Sequence, residues 1–115
     1  MPRSSSSSGR RRWWQSRASA QGITLDRAGF NEVRACRWGP MVYNRNDAYV
    51  GASLRMYGEH SYLEHELASR IVQEGDLVVE AGANIGAHTV GLSRLAGARG
   101  AVIAFEPQRV VFQTL

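Results

Sequence analysis

The run Leu77-Val78-Val79-Glu80 breaks at once into Ala81-Gly82-Ala83-Asn84-Ile85-Gly86, and apolar spacing then resumes in AHTVGLSRLAG. A continuous apolar run reads as a strand covered on both faces. The small residues mark a sharp turn. The renewed 3.6-residue spacing predicts a helix from about Gly86 to Ala96, stopped by Gly97. A second apolar run, Ala101 to Glu106, repeats the strand signature, and Pro107 suits the start of another helix. Strand, helix and strand at this length form a βαβ unit, which calls for parallel strands and a right-handed crossover. The expected fold class is therefore α/β.

The turn limits what such a unit can hold. Ligands of open parallel sheets sit at the carboxyl ends of the strands. Two acids occupy those ends, Glu80 and Glu106. Gly82 and Gly86 lack side chains, so a ligand can approach the backbone there. The helix that follows starts with free N–H groups and a partial positive charge. Glu106 lies 20 residues past Gly86, where an acid can accept both hydroxyls of a ribose. Together these features ask for a nucleoside.

Three nucleoside ligands compete. A P-loop needs Gly-Lys-Ser/Thr, and the chain contains no lysine. The dinucleotide fingerprint needs Gly-x-Gly-x-x-Gly, whereas Asn84 stands here where its second glycine would be. S-adenosylmethionine carries a ribose and adenine but no phosphate, and its amino-acid end bears an ammonium. Glu80 suits such a cation, or it orders the loop by accepting backbone N–H groups.

VVEAGANIGAHTVGLSRLAG followed by GAVIAFEPQ resembles the FkbM-type family of S-adenosylmethionine-dependent methyltransferases. Asn84-Ile85-Gly86, Thr89 and Phe105-Glu106-Pro107-Gln108 carry the resemblance at their spacing. Upstream, WGPMVYNRND and YGEHSYLEHEL are similar to the lead-in of such proteins. The likeness covers roughly residues 38–115, with Glu80 standing where Asp is common. It implies a Rossmann-like class I methyltransferase fold with S-adenosylmethionine as cofactor. Glu80, Gly82, Asn84, Gly86 and Glu106 would hold that cofactor. The implied chemistry is O-methylation of a hydroxyl on a small-molecule acceptor of sugar or natural-product type. That fold has a larger sheet than two strands. The resemblance therefore makes residues 61–115 the first part of a methyltransferase domain, an N-terminal portion without the acceptor site or a catalytic base. Such a portion is expected to bind cofactor weakly and to methylate nothing alone.

Residues 21–60 read as a lead-in. Val33, Ala35 and Arg37 alternate with their neighbours, and Met41-Val42-Tyr43 resumes beyond Gly39-Pro40, which predicts a β-hairpin. Asp47 is placed to cap a short helix through Leu54. Ser61 stands three residues before Glu64, the spacing of a capping box. Leu63, Leu67 and Ile71, with Ala68 and Val72, predict an inward-facing helical stripe ended by Gly75.

The net charge of +4 over 115 residues invites a nucleic-acid partner until it is located. Residues 1–20 hold five arginines and no acid, and the remainder holds nine arginines against ten acids. The excess belongs to the Ser/Arg-rich tail, which reads as disordered for want of apolar residues. A transit-like leader, or phosphate and base contacts by Arg10-Arg11-Arg12-Trp13-Trp14, are the alternatives. Under the second, the chain would be a non-catalytic nucleic-acid or partner-binding module; a nucleotide-binding α/β fragment of another class is the remaining alternative for the βαβ unit. No apolar core follows the arginines, which argues against a secretory signal, and no run is long enough for a membrane span. One cysteine, Cys36, permits no intrachain disulfide and fits a reducing, cytoplasmic compartment. No spacing gives Cys36 a catalytic partner. His60, Glu64 and His65 lack His-Glu-x-x-His order and read as a surface helix face rather than a metal site. His88 and Thr89 fall in the first turn after the glycine loop, placed either for packing and capping or for contact with the ligand.

Overall fold

A computed structural model describes residues 29–115. The tail reading for residues 1–20 and the lead-in over 21–28 lie outside that range. Within it the architecture is α/β, with two separate two-stranded sheets.

Strands β1 (Asn31–Ala35) and β2 (Pro40–Asn44) form the expected antiparallel hairpin, pairing Asn31 with Asn44 and Ala35 with Pro40. Helix α1 spans Val50–Tyr57. Asp47 does not cap it directly. Its Oδ1 accepts the Tyr49 N–H at 2.8 Å, closing an Asx turn just ahead of the helix. The helix also continues beyond Leu54 and stops at Gly58, whose left-handed φ of 71° makes it the C-terminal glycine.

Helix α2 corrects the sequence reading most. It covers only Tyr62–Ala68. Ser61 adopts left-handed φ 52° and makes no side-chain cap bond, so no capping box forms. The chain then turns through residues 69–76. There the Asp76 carboxylate accepts the Gln73 N–H at 2.8 Å and the Gly75 N–H reaches Ala96 O at 2.8 Å. These bonds draw the segment away from a helical path before Gly75. The predicted stripe faces outward, with Leu63 78 % exposed and Leu67 and Ile71 exposed too. The buried residue of α2 is His65. Spacing identifies a face but not its direction. The hairpin turn and the next helix offer a narrow slot between Trp38 and Gly91, which admits a flat ring.

Strands β3 (Leu77–Ala81) and β4 (Ala101–Phe105) are parallel and adjacent, in register from Leu77↔Ala101 to Ala81↔Phe105. Helix α3 (Ala87–Ala96) joins them, and α4 (Arg109–Phe112) follows. The expectation of cover on both faces fails. Burial alternates along both strands. Leu77, Val79, Ile103 and Phe105 share an exposed face, Val79 at 64 %. Helix α3 covers one side of the pair, and among the described residues nothing covers the other.

The core links the two sheets. Met41 and fully buried Tyr43 of β2 pack with Leu54 of α1 and Ile85 of the glycine loop, joined by Cys36, Val50, Ala87, Val90 and Val111. Burial pushes the Tyr43 phenol and the Cys36 thiol above their ordinary values. A thiol shifted that way is a poorer nucleophile at neutral pH.

Candidate functional site

Ile85 fixes the loop by its burial in this core, so the turn from β3 into α3 is anchored from beneath. Hydrogen bonds stitch it from the side. Gly82 and Ala83 both donate their N–H groups to Phe105 O, at 2.7 and 3.0 Å. The Asn84 N–H donates to Glu106 Oε2 at 2.9 Å, and the Ile85 N–H to Asn84 Oδ1 at 2.7 Å. The Gly86 N–H donates to Ala83 O at 2.9 Å. Every amide from Gly82 to Gly86 is thus committed inside the protein. A phosphate cradle works by presenting such amides to the ligand. This loop offers none of them.

The loop's special residues divide by role. Asn84 sits at φ 53°, a left-handed conformation that asparagine tolerates better than most residues. Gly82, at φ 78°, has open space where a Cβ would project. Gly86, at φ 84°, is buried, and a Cβ there would lie 2.7 Å from Leu115 Cδ1. Close approach of a ligand is therefore available at Gly82, while Gly86 serves packing.

The two carboxylates flank the loop and differ in what they hold. Glu106 accepts the Asn84 amide on Oε2 and the Gln108 amide on Oε1, the latter at 2.7 Å. Glu106 thus takes the loop-ordering role that the sequence offered to Glu80. Its oxygens keep further lone pairs, since each carboxylate oxygen accepts about two bonds. Glu80 accepts the Thr89 hydroxyl on Oε2 at 2.6 Å, a short charge-assisted bond. No described side chain or amide donates to its Oε1. Thr89 thereby acquires a definite task. Its spacing from Glu80 could have revealed the pair, because a strand end and the first turn of the following helix converge across the intervening loop.

His88, beside Thr89, is paired through Nε2 with Glu64 Oε2 at 2.9 Å, and its ring lies 6.0 Å from that of His60. The surface-face reading holds for exposed Glu64 but not for His65, which is buried and stacked on Trp38. Among the described residues no three His, Cys, Asp or Glu side chains are arranged to hold a metal ion, and no helix is long and apolar enough to cross a membrane.

No protein family matches the chain, and neither a curated protein nor a solved structure does.

Proposed function

We propose that the β3–α3–β4 unit is the cofactor-holding part of a Rossmann-like, S-adenosylmethionine-dependent methyltransferase. The observation that carries this reading is the closed loop between two acids. All five amides from Gly82 to Gly86 are donated internally, and Glu80 and Glu106 stand on either side. A pyrophosphate would meet two like charges and no free loop donor. A nucleoside with a cationic end would meet acceptors instead.

The residues fit that ligand in a definite order. Open space at Gly82 admits a flat group against the backbone. Glu106 would accept ribose hydroxyls on its remaining lone pairs, already aimed by the Asn84 and Gln108 amides. Glu80 would take the ammonium on Oε1 while Thr89 holds Oε2. Asn84 and Gly86 shape the loop. When bound, S-adenosylmethionine supplies an activated methyl group; the protein's part is to position it. The acceptor we assign is a hydroxyl of a sugar or natural-product molecule, on the resemblance of VVEAGANIGAHTV and AVIAFEPQ to the FkbM-type family.

A titration of S-adenosylhomocysteine followed by amide NMR tests this reading. Glu106→Ala removes two charge-assisted bonds of about 1.5–3 kcal/mol each, trimmed by water replacement to a loss of roughly 2–4 kcal/mol. That equals about 30- to 1000-fold in affinity. Glu106→Gln should cost less. Glu74→Ala, whose partner is exposed Arg99, should change nothing. Equal binding by Glu106→Ala and the parent would refute the nucleoside assignment.

A further inference from the structure

The contact between α2 and the rest of the protein is built on a titratable ring. His65 is the buried residue of α2, at 6 % exposure, while Leu63 and Leu67 of the same helix face out. Its ring lies 3.7 Å from the Trp38 ring, centroid to centroid, tilted by 34°. On the other side it presses on Gly91 of α3, where an added Cβ would fall 2.5 Å from Nδ1. Trp38 is itself tied to α3, since its carbonyl accepts from Arg94 Nε. One imidazole therefore joins three elements: α2, the turn after β1, and α3.

The surroundings oppose a charge on this ring. From the hairpin turn comes Arg37, which lies over both the Trp38 and Tyr62 rings at 5.8 and 4.6 Å. From α3 comes His88, while Arg94 of that helix is engaged with the Trp38 carbonyl. From α2 itself come Glu64, engaged with His88, and Glu66, which donates some opposing charge. Burial is the largest effect and holds His65 below the ordinary histidine value of 6.5; His88 and Arg37 add to it, and Glu66 works against it.

We propose that His65 is a proton-operated latch: neutral, it holds α2 in the slot between Trp38 and Gly91, and protonated, it releases that helix. The folded form binds the proton less readily than the released form. Docking is therefore at full strength above about pH 6.5 and weakens as pH falls below it. Release also withdraws Glu64 from His88, two residues after Gly86, so the glycine loop loses a neighbour when the latch opens. The inference stands apart from the ligand assignment, because it uses no residue of the proposed cofactor site.

Amide hydrogen exchange on the 115-residue chain tests it, at about pH 7.5 and about pH 5, corrected for intrinsic rates. Protection of the Tyr62–Ala68 amides should fall about tenfold more than protection of the β3 and β4 amides. His65→Gln and His65→Phe should each abolish that difference. Direct NMR titration of the His65 imidazole in the unaltered chain provides a readout that needs no variant, and it should report protonation below 6.5. Parallel loss of protection in α2, β3 and β4, survival of the difference in both variants, or an imidazole titrating at or above 6.5 would each overturn the latch.

Discussion

The Glu106 carboxylate accepts the Asn84 amide at 2.9 Å across 22 residues of chain, tying the end of β4 to the turn that follows β3. The same carboxylate holds the Gln108 amide through its other oxygen. A strand-end acid that the sequence offers as a ligand group is therefore also a strut of the loop.

Glu106 should matter to stability before any ligand is added. Glu106→Ala leaves the partly buried Asn84 N–H without its acceptor, at a cost of about 1–2 kcal/mol. Glu106→Gln keeps an acceptor oxygen and should lose less than half as much. Urea unfolding of the three forms measures this, and an unchanged midpoint for Glu106→Ala would contradict the strut.

Thr89 and Glu80 should behave as one unit. Thr89→Val removes the hydroxyl that holds Glu80 Oε2, and a bond to a charged group contributes about 1.5–3 kcal/mol before discount for partial exposure. We expect a loss near the lower end, with Thr89→Ser close to the parent. In a double-mutant cycle, Glu80→Gln and Thr89→Val should be clearly non-additive. Additive losses would separate the two residues.

Much of the fold is legible in the sequence, and the reason is local. The parallel β3–α3–β4 unit, the stop at Gly97 and the hairpin at Gly39-Pro40 each rest on a few neighbouring residues. What failed depended on partners distant in sequence. The α2 stripe showed a face, but its direction was set by Trp38 and Gly91. Ser61 and Glu64 had capping spacing, yet Ser61 is left-handed and Glu64 pairs with His88. At the site, the positions of Glu80 and Glu106 were readable from strand ends. Of their partners, Thr89 could be found from its spacing to Glu80, but Asn84 and Gln108 could not, because hydrogen bonds to backbone amides across a turn leave no periodic trace.

Gly91 gives a test of packing that runs against helix propensity. Gly→Ala inside a helix ordinarily stabilises by about 1 kcal/mol. Here the new Cβ would meet His65 Nδ1 at 2.5 Å and Trp38 Cδ1 at 3.5 Å. Gly91→Ala should instead destabilise by about 1–3 kcal/mol, as overpacking does. A thermal melt that rises would show that the slot is looser than described.

The face formed by Leu77, Val79, Ile103 and Phe105 is exposed along both strands. Unpaired strand edges beside such a face promote pairing with another copy. Sedimentation velocity should show association that grows with concentration, and Val79→Lys with Ile103→Lys should shift the chain toward monomer. Concentration-independent monomer for the parent would contradict this.

The central claim is that the loop between Glu80 and Glu106 receives a nucleoside with a cationic end and rejects a phosphate. Parallel NMR titrations with S-adenosylhomocysteine and with ADP-ribose test it most directly. The account predicts amide shifts from Ala81 to Gly86 and at Glu106 and Gln108 that saturate only at high S-adenosylhomocysteine concentration, as a weak site requires, and none at equal concentration of ADP-ribose. Shifts with ADP-ribose alone, or with neither compound, would contradict it.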